Sequence, residues 1–178
     1  MIEFPRRRAV FLAAVAAVTS ALSCGPAGAI LLSSSGGEAK NIQVRSNNAA
    51  TKTSSTAFVD LPGATVTRTI VASQDLFVAR FAAESRCFGS ASGRCVIRVL
   101  ARNQRTGGVV EMFPPSGVDN TFDTDVAGFA DDQEENHAME RSLRLPKDTY
   151  TLKVQIAVTN AATVFFLDDW HFSVTTYE

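Results

Sequence analysis

The stretch "TYTLKVQIAV" (149–158) constrains the fold more than any other part of the chain. Five large apolar side chains recur at every second position: Tyr150, Leu152, Val154, Ile156 and Val158. The positions between them are mostly polar. Because successive side chains of a β-strand point to opposite faces of a sheet, this alternation predicts a strand with one face in the core and the other in solvent.

Other segments carry the same kind of signal. Residues 94–103 alternate arginine with apolar side chains, and residues 76–84 are apolar on both faces except at Arg80, as expected of a central strand. Pro62-Gly63 is a turn dipeptide between two such segments. After residue 29, no amphipathic run is flanked by the start and stop signals of a helix.

We therefore predict an all-β fold of about 8–10 short strands separated by Gly, Pro and Asn turns. The expected architecture is an antiparallel β-sandwich, jelly-roll-like, with a closed β-barrel as the alternative. Residues 57–178 form a single sandwich domain in this interpretation. Residues 30–56 are rich in Ser, Asn and Thr and are interpreted as an arm or a first short strand.

The N-terminal segment has the pattern of a secretory signal peptide. Three arginines, Arg6 to Arg8, precede the apolar run 9–23, and Ala27-Gly28-Ala29 follows as a small-x-small cleavage site. The run is shorter than the roughly 20 residues that a membrane anchor needs. We predict cleavage near Ala29 and a secreted, extracellular mature protein.

Two variants of this export route stay open. Arg7-Arg8 resembles the twin-arginine signal, although a run of arginines is also an ordinary positive n-region. Ala21-Leu22-Ser23-Cys24 resembles a lipoprotein box that would acylate Cys24, but Ala21 stands where a branched apolar residue is expected.

The charge of the mature chain excludes some classes of partner. The segment 1–29 contains three of the 17 basic residues and one of the 18 acidic residues, so its removal leaves a net charge of −3. Binding to nucleic acid or to acidic membrane surfaces needs a basic surface, and neither is expected. No second apolar run has transmembrane length, so we predict no membrane span in the mature form.

Cleavage would also remove Cys24 and leave Cys87 and Cys95. Two cysteines in an exported protein most simply form a disulfide. The intervening "FGSASGR" has a turn composition, which predicts that the disulfide joins two strand ends across a hairpin. A loop this short limits the stabilisation to about 2–3 kcal/mol.

Five stretches together resemble a known family: "FVDLPG" (58–63), "ARFAAES" (79–85) followed by the two cysteines, "HAMERSLRL" (137–145), "TYTLKVQIAV" (149–158) and "FLDDWHFSV" (166–174). The chain is similar to an uncharacterised family of bacterial secreted proteins, which are small, signal-bearing β-sandwich domains. The resemblance covers most of the mature chain and implies the fold and the export. It implies no activity.

The last strand, within "FFLDDWHFSVTTYE" (165–178), contains the chain's only Trp. Even-numbered positions carry Phe166, Trp170, Phe172 and Val174, which predicts that Trp170 points into the core. Asp169 and His171 then point outward and are a further candidate pair for a ligand site.

Asp168 shares the inward parity of the aromatic residues. A buried, unpaired carboxylate is too unfavourable to persist, so we predict a buried ion pair with Arg141 or, failing that, with Arg80. Both arginines fall at inward positions of otherwise apolar strands in the sequence pattern. The alternative is a β-bulge at 168–169 that turns Asp168 to solvent.

Residues 116–137 contain seven acidic residues and no Lys or Arg. Carboxylates on a loop are the ligands that Ca²⁺ prefers, so this segment is the candidate metal site. It does not match an EF-hand, because Thr124 stands where that loop needs Gly. The alternative is a solvated acidic loop that keeps the domain soluble. The candidate ligands are Asp119, Asp123, Asp125, Asp131 and Asp132.

Catalysis has little support in the sequence. Asp168 or Asp169, with His171 and Ser142, would supply the residue types of a hydrolytic triad, but no Gly-x-Ser-x-Gly motif is present. Sugar binding by stacking needs exposed aromatic side chains, and Trp170 and Tyr150 both have core parity. We assign no catalytic residue.

These observations favour an exported, non-enzymatic β-sandwich that binds an extracellular ligand or protein or assembles at the cell surface. The alternative is a calcium-dependent carbohydrate- or surface-binding module, and a secreted hydrolase is third. We expect no cofactor other than Ca²⁺ in that alternative. A homo-oligomer is compatible with the assembly role.

Overall fold

The computed structural model describes residues 30–35, 39–89, 92–117, 120–124 and 134–177. Within these residues the chain forms strands and no helix. In chain order the strands are β1 (Ile30–Ser35), β2 (Ala39–Asn47), β3 (Thr51–Thr53), β4 (Val59–Thr69), β5 (Gln74–Phe88), β6 (Arg94–Asn103), β7 (Val109–Glu111), β8 (Asp123–Thr124), β9 (Glu135–Pro146), β10 (Thr149–Val158) and β11 (Val164–Tyr177).

The strands form two antiparallel sheets that pack face to face. Sheet A has the order β1-β2-β11-β5-β9, with β3 also pairing with β11. Sheet B has the order β4-β10-β6-β7, with β8 also pairing with β6. The antiparallel β-sandwich is thereby confirmed. The described residues include no helix long and apolar enough to cross a membrane.

The described residues of the segment 30–56, namely 30–35 and 39–56, belong to the sandwich. They supply β1, β2 and β3, all in sheet A, and β2 pairs with β11 along most of its length. The predicted arm or short strand is thus three strands of the sheet. Its polar composition suits this place, since an antiparallel sheet near its edge tolerates polar side chains.

The core lies between the sheets and follows the predicted periodicity. In β10, Tyr150, Leu152, Val154 and Ile156 are all buried. The odd positions of β5 are buried from Asp75 to Cys87, and this strand lies between β11 and β9 as predicted for a central strand. At the centre of the core, the ring of Trp170 stacks on Phe81 with centroids 6.2 Å apart.

Cys87 and Cys95 form the predicted disulfide, with Cα atoms 5.9 Å apart. The predicted hairpin is wrong, because β5 belongs to sheet A and β6 to sheet B. The turn between them therefore crosses from one sheet to the other. The disulfide links the two layers of the sandwich at one end.

Pro62-Gly63 does not end a strand. Both residues lie within β4, where Gly63 has a φ of 80° and the pairing with β10 shifts register between Lys153 and Gln155. Glycine adopts positive φ without steric strain, so the dipeptide makes an irregularity that the strand passes through. The predicted turn was wrong at this point.

The parity predicted for β11 is also wrong in its first half. Phe165 and Leu167 are buried before position 168, and Trp170, Phe172 and Val174 are buried after it. The pairing with β5 shifts between Asp168 and His171, where Asp169 has a φ of 43°. One extra residue in β11 reverses the parity, which is the defining property of a β-bulge.

Candidate functional site

The bulge decides where the polar residues of β11 point. It keeps both Leu167 and Trp170 in the core and leaves Asp168 and His171 on the outer face of sheet A. Asp168 is half-buried, and its Oδ1 accepts a hydrogen bond from the backbone N–H of Asp169 at 2.8 Å. His171 is exposed, as predicted.

The predicted buried ion pair of Asp168 is therefore wrong, and the alternative, a β-bulge at 168–169, is what the strand forms. Asp168 lies opposite Glu84 on the outer face, whereas Arg141 lies opposite Ala79 with its side chain on the inner face. Arg80 also points outward, and its Nε donates to Glu140 Oε2 at 2.6 Å. The parity argument failed for Asp168 and Arg80 because the bulge and the register of β5 place both on the outer face.

Three neighbouring strands arrange outer-face residues in rows across sheet A. In the middle row, Ala82 of β5 lies opposite Ala138 of β9 on one side and His171 of β11 on the other. Because both alanine side chains are short, the surface of the sheet is depressed along this part of the middle row. A groove of about 540 Å³ lies over it, lined in part by His171 and Ser173.

Longer polar side chains border this groove on one side. They are Arg80 and Glu140, which are cross-strand neighbours and form an ion pair. At the next outer-face position of β5, on the other side of the alanine row, Glu84 lies opposite Asn136 and Asp168, and these three residues are not part of the lining. His171 therefore lines the groove, whereas Asp168 does not.

A second polar cluster lies inside the sandwich near the disulfide. Ser85 Oγ is 2.8 Å from Asp123 Oδ2 and 2.9 Å from His137 Nδ1. These residues come from β5, β8 and β9, so the cluster joins sheet A to sheet B. We call it the Asp123–Ser85–His137 clamp. Thr124 N–H donates to the other oxygen of Asp123 at 2.7 Å.

The hydrogen bonds of the clamp assign its protons. A serine hydroxyl has one proton, which Ser85 donates to the acceptor-only carboxylate of Asp123. His137 must then donate from Nδ1 to the serine oxygen. Its Nε2 faces Glu135, whose Oε2 is 3.7 Å away.

This arrangement differs from a hydrolytic triad. In a triad the histidine lies between the carboxylate and the serine and takes the serine proton. Here the serine lies in the middle and its proton points to the carboxylate. Ser85 is also only 1% exposed, so a substrate cannot reach its oxygen.

The triad residues considered in the sequence are not brought together. Ser142 lies on β9 opposite Val78, four positions along β5 from Ala82, which faces His171. The backbone of Ser142 forms two hydrogen bonds with Phe113. Its role in the fold is to attach the segment after β7 to the edge of sheet A.

The candidate calcium ligands fall mostly outside the described residues, which exclude Asp119, Asp125, Asp131 and Asp132. Asp123 is described and is 9% exposed, with both carboxylate oxygens engaged in the clamp. Among the residues that the structure describes, no three His, Cys, Asp or Glu side chains form a group that could hold a metal ion.

Arg141 occupies an inward position, as its parity predicted, and is 7% exposed. Its Nη1 donates to the carbonyl of Glu140 at 2.9 Å, while its buried Nε has no hydrogen-bond partner. Burial lowers the pKa of the guanidinium, and the nearby charge of Glu111 partly offsets that shift. Among the residues that the structure describes, no carboxylate forms a salt bridge of 4 Å or less with this buried charge.

The outer face of sheet B presents a contrast with the groove. There Asp60 accepts hydrogen bonds from Lys153 and Gln155, and Arg98 donates to Gln155 at 2.8 Å. The Lys153 hydrogen bond lowers the pKa of Asp60 most, followed by that from Gln155. The guanidinium of Arg98 also lies 4.0 Å from the ring centroid of Phe58. The polar groups of these side chains are therefore hydrogen-bonded to, or stacked against, one another.

No protein-family model and no curated protein matches the chain. Among solved structures, the chain has a weak likeness to the CBM22-1 and GH10 modules of endo-1,4-β-D-xylanase 10B from Clostridium thermocellum, complexed with xylohexaose. The identity is 12% and the TM-score is 0.27. The match covers 86% of this chain and 25% of that structure, so the chain spans a quarter of its length.

The clamp and the groove were missed in the sequence. Ser85 did carry a signal, since it is a polar residue at a buried position of an apolar strand. His137 carried none, because its strand has few apolar residues at its start. The groove depends on which alanines become neighbours, and that follows from strand register.

Proposed function

We propose that the chain is an exported, non-enzymatic binding domain whose ligand occupies the groove across β9, β5 and β11. The observation that carries this proposal is the construction of the groove, a floor of Ala82 and Ala138 bordered by the polar side chains of Arg80, Glu140, His171 and Ser173. Such a surface can accept a ligand backbone over the alanines and hydrogen-bond to it through these polar side chains.

The bulge in β11 supports the same site. A residue other than glycine at positive φ is unfavourable, and such strain often accompanies a binding site. In this chain the bulge holds Trp170 in the core and keeps Asp168 and His171 on the outer face, where His171 lines the groove. A regular strand could not do both.

The proposal of a non-enzymatic role rests on the clamp. Ser85 is the buried member of the most triad-like arrangement among the described residues, and its proton is already directed to Asp123. We interpret the clamp as a structural link between the sheets. The groove itself offers His171 and Ser173, and within the described part of the chain its lining contains no buried carboxylate.

Export is proposed from the predicted signal peptide at 1–29 and from the likeness of several stretches to a family of bacterial secreted proteins. The Cys87–Cys95 disulfide is compatible with export, because disulfides persist in oxidising compartments. Production of the full chain in bacteria, followed by mass measurement of the exported form, tests it. We expect a chain that begins after Ala29 and retains the disulfide.

The groove is tested by filling it. Ala138 is exposed on an edge strand, so Ala138→Trp can fill the groove without changing the core. Thr67→Trp is the matched control, since Thr67 is exposed on β4, the edge strand of sheet B. The probes are a neutral tetrasaccharide, a tetra-lysine peptide and a tetra-glutamate peptide, added to ¹⁵N-labelled protein.

We expect at least one probe to shift the amide signals of Arg80, Ala82, Ala138 and His171. Ala138→Trp should abolish those shifts, and Thr67→Trp should leave them unchanged. If no probe moves these signals, or if Ala138→Trp responds like the unmodified protein, the groove is not the binding site.

A further inference from the structure

We propose that β9 is a self-association edge. Residues 135–141 of two copies of the chain pair antiparallel about a two-fold axis at Ala138 and join two copies of sheet A into one continuous sheet. This inference goes beyond the proposed function, because the partner is a second copy of the chain and not the ligand of the groove. The open side of β9 and the self-complementary order of its side chains carry it.

β9 is an outer strand of sheet A and has β5 on one side. Its pairing with β5 runs from Glu135 to Pro146 without a register shift. On the other side, the backbone of Ser142 donates to the carbonyl of Phe113 at 2.7 Å and accepts from its N–H at 2.9 Å. Among the described residues, no strand pairs with that side of β9 before Ser142.

The bridge at Ser142 shows which backbone groups face the open side. Residues two apart in a regular strand direct their N–H and C=O to the same side, so those of Asn136, Ala138 and Glu140 point the same way as those of Ser142. The carbonyl of Glu140 already accepts a hydrogen bond from Arg141 Nη1, and a carbonyl oxygen can accept two. These groups form a row to which another strand can hydrogen-bond.

The other sheet edges are less suited to pairing. β7 has 3 residues, and β1 pairs with β2 across a register shift. β4 contains the Pro62-Gly63 irregularity, and Arg45 Nε donates to the carbonyl of Thr65 in that strand at 3.2 Å. Short strands, prolines and bulges all hinder edge-to-edge pairing. The segment 135–141 contains neither Pro nor Gly, so it is the most regular edge among the described residues.

The limits of the open edge fix the register of the second copy. β9 begins at Glu135, and Phe113 occupies the edge at Ser142, so the free segment is 135–141. The midpoint of this segment is Ala138, and an antiparallel pair centred there uses its whole length. An axis at Glu140 would place two glutamates opposite each other and would need the edge that Phe113 occupies.

The side chains of the segment are complementary in this register. Asn136 lies opposite Glu140 of the second copy, so an amide faces a carboxylate. Glu135 lies opposite Arg141 of the second copy, whose buried Nε has no hydrogen-bond partner in the monomer. Ala138 meets Ala138, and both side chains are small. Each of the two polar pairs occurs twice in the dimer, and no pair of like charges is opposed.

The dimer would also bring two grooves together. Ala138 lines the groove over β9, β5 and β11 and lies at the two-fold axis. The groove of one copy therefore adjoins that of the other across the joined edges.

Sedimentation equilibrium over a range of protein concentrations tests this inference. A single pair of strands is a small interface, so we expect a reversible dimer with a dissociation constant between about 1 μM and about 1 mM. Asn136→Lys places an ammonium group opposite Glu140 of the second copy and should tighten the dimer. Asn136→Glu places like charges there and should weaken it. Each change should be roughly two- to thirtyfold, because the pair occurs twice.

Asn136 is exposed, so both variants should fold. Within one copy Asn136 also lies opposite Glu84, and the melting temperature at a dilution where the protein is monomeric measures that separate effect. Ala138→Lys places two ammonium groups against each other at the axis and should abolish the dimer. Thr67→Lys is the matched control, since Thr67 is exposed on β4, and it should leave association unchanged.

Three results would overturn the inference. The first is a protein that stays monomeric up to about 1 mM. The second is a dimer that Ala138→Lys does not weaken, because it must use another surface. The third is a dimer in which Asn136→Lys and Asn136→Glu act in the same direction, because the copies then pair in another register. None of these results bears on whether the groove binds the probes, so the two proposals can fail separately.

Discussion

His137 and Arg141 lie four residues apart on the same face of β9, but they differ in burial and in hydrogen bonding. His137 enters the Asp123–Ser85–His137 clamp, where each hydrogen bond has a donor and an acceptor. Arg141 is more deeply buried and leaves its Nε without a partner. A buried polar group stabilises a fold only when its hydrogen bonds are completed, so the two positions should respond to substitution in opposite ways.

The comparison has a third member in Asp168. The sequence pattern placed it in the core, where it would have needed an arginine. The bulge instead turns it to the outer face, opposite Glu84. Polar side chains in these apolar strands are thus accommodated in three ways. His137 has hydrogen-bond partners in the clamp, Arg141 is buried with its Nε unpaired, and Asp168 is turned out of the core.

Substitution of the clamp serine should have the largest effect. Ser85→Ala leaves Asp123 and His137 without the hydroxyl that joins them, and an unsatisfied buried polar group costs about 1–3 kcal/mol. Urea denaturation measures the loss of unfolding free energy. Ser173→Ala, on the outer face of β11, is the control and should change stability little. Equal effects of the two would show that the clamp contributes nothing.

Arg141→Met should be neutral or stabilising, by up to about 1 kcal/mol. Methionine fills a similar space and needs no hydrogen bond, so it removes the desolvation of a guanidinium whose Nε has no hydrogen-bond partner. The same denaturation experiment decides it. A loss comparable to that of Ser85→Ala would mean that Arg141 has a strong partner in solution, and the contrast along β9 would disappear.

The hydrogen-bonded side chains on the outer face of sheet B show how much an exposed polar group contributes to the free energy of unfolding. Asp60→Asn should lose about 0.5 kcal/mol at pH 6, because exposed ion pairs are weak. Since the Lys153 hydrogen bond lowers the pKa of Asp60 below its ordinary value of 3.8, the contribution is complete above that value. It should decline as the pH falls below 3.8, where the unfolded chain takes up the proton first.

Unfolding of the unmodified protein and of Asp60→Asn at pH 6 and at pH 2 checks this prediction. The difference between the two proteins should be smaller at pH 2. A difference that grows at low pH would contradict the assigned direction of the pKa.

Asp168→Asn should have the smallest effect, a gain of less than about 0.5 kcal/mol from reduced repulsion with Glu84. Its double mutant with Arg141→Met should be additive within about 0.5 kcal/mol, as for sites that share no contact. A larger coupling energy would restore the ion pair between Asp168 and Arg141 that the register excludes.

Some elements of the fold could be read from the sequence with little ambiguity. The alternation in 149–158 predicted β10 and its inward face, and the two-sided apolar run 76–84 predicted a central strand, because these patterns record burial directly. The disulfide followed from the number of cysteines. The hairpin around it did not, since the same short turn can stay in one sheet or cross to the other.

The candidate site was predicted only in fragments. His171 was placed outward correctly. Asp168 was placed inward by parity, and the bulge at 168–169 was only the alternative, because periodicity alone does not show which of the two the strand adopts. Ala82 and Ala138 looked like ordinary strand residues. They form the floor of a groove only because β5 and β9 pair in the register that sets them side by side.

The sequence by itself determined the class of the fold, the inward face of its most regular strands and the pairing of Cys87 with Cys95, because each depends on local periodicity or on composition. Tertiary structure alone decided the bulge in β11, the clamp around Ser85 and the groove over the alanines. These depend on which residues of distant strands become neighbours. That choice is made by the register of the sheets, which maximises burial over the whole sandwich rather than along any one strand.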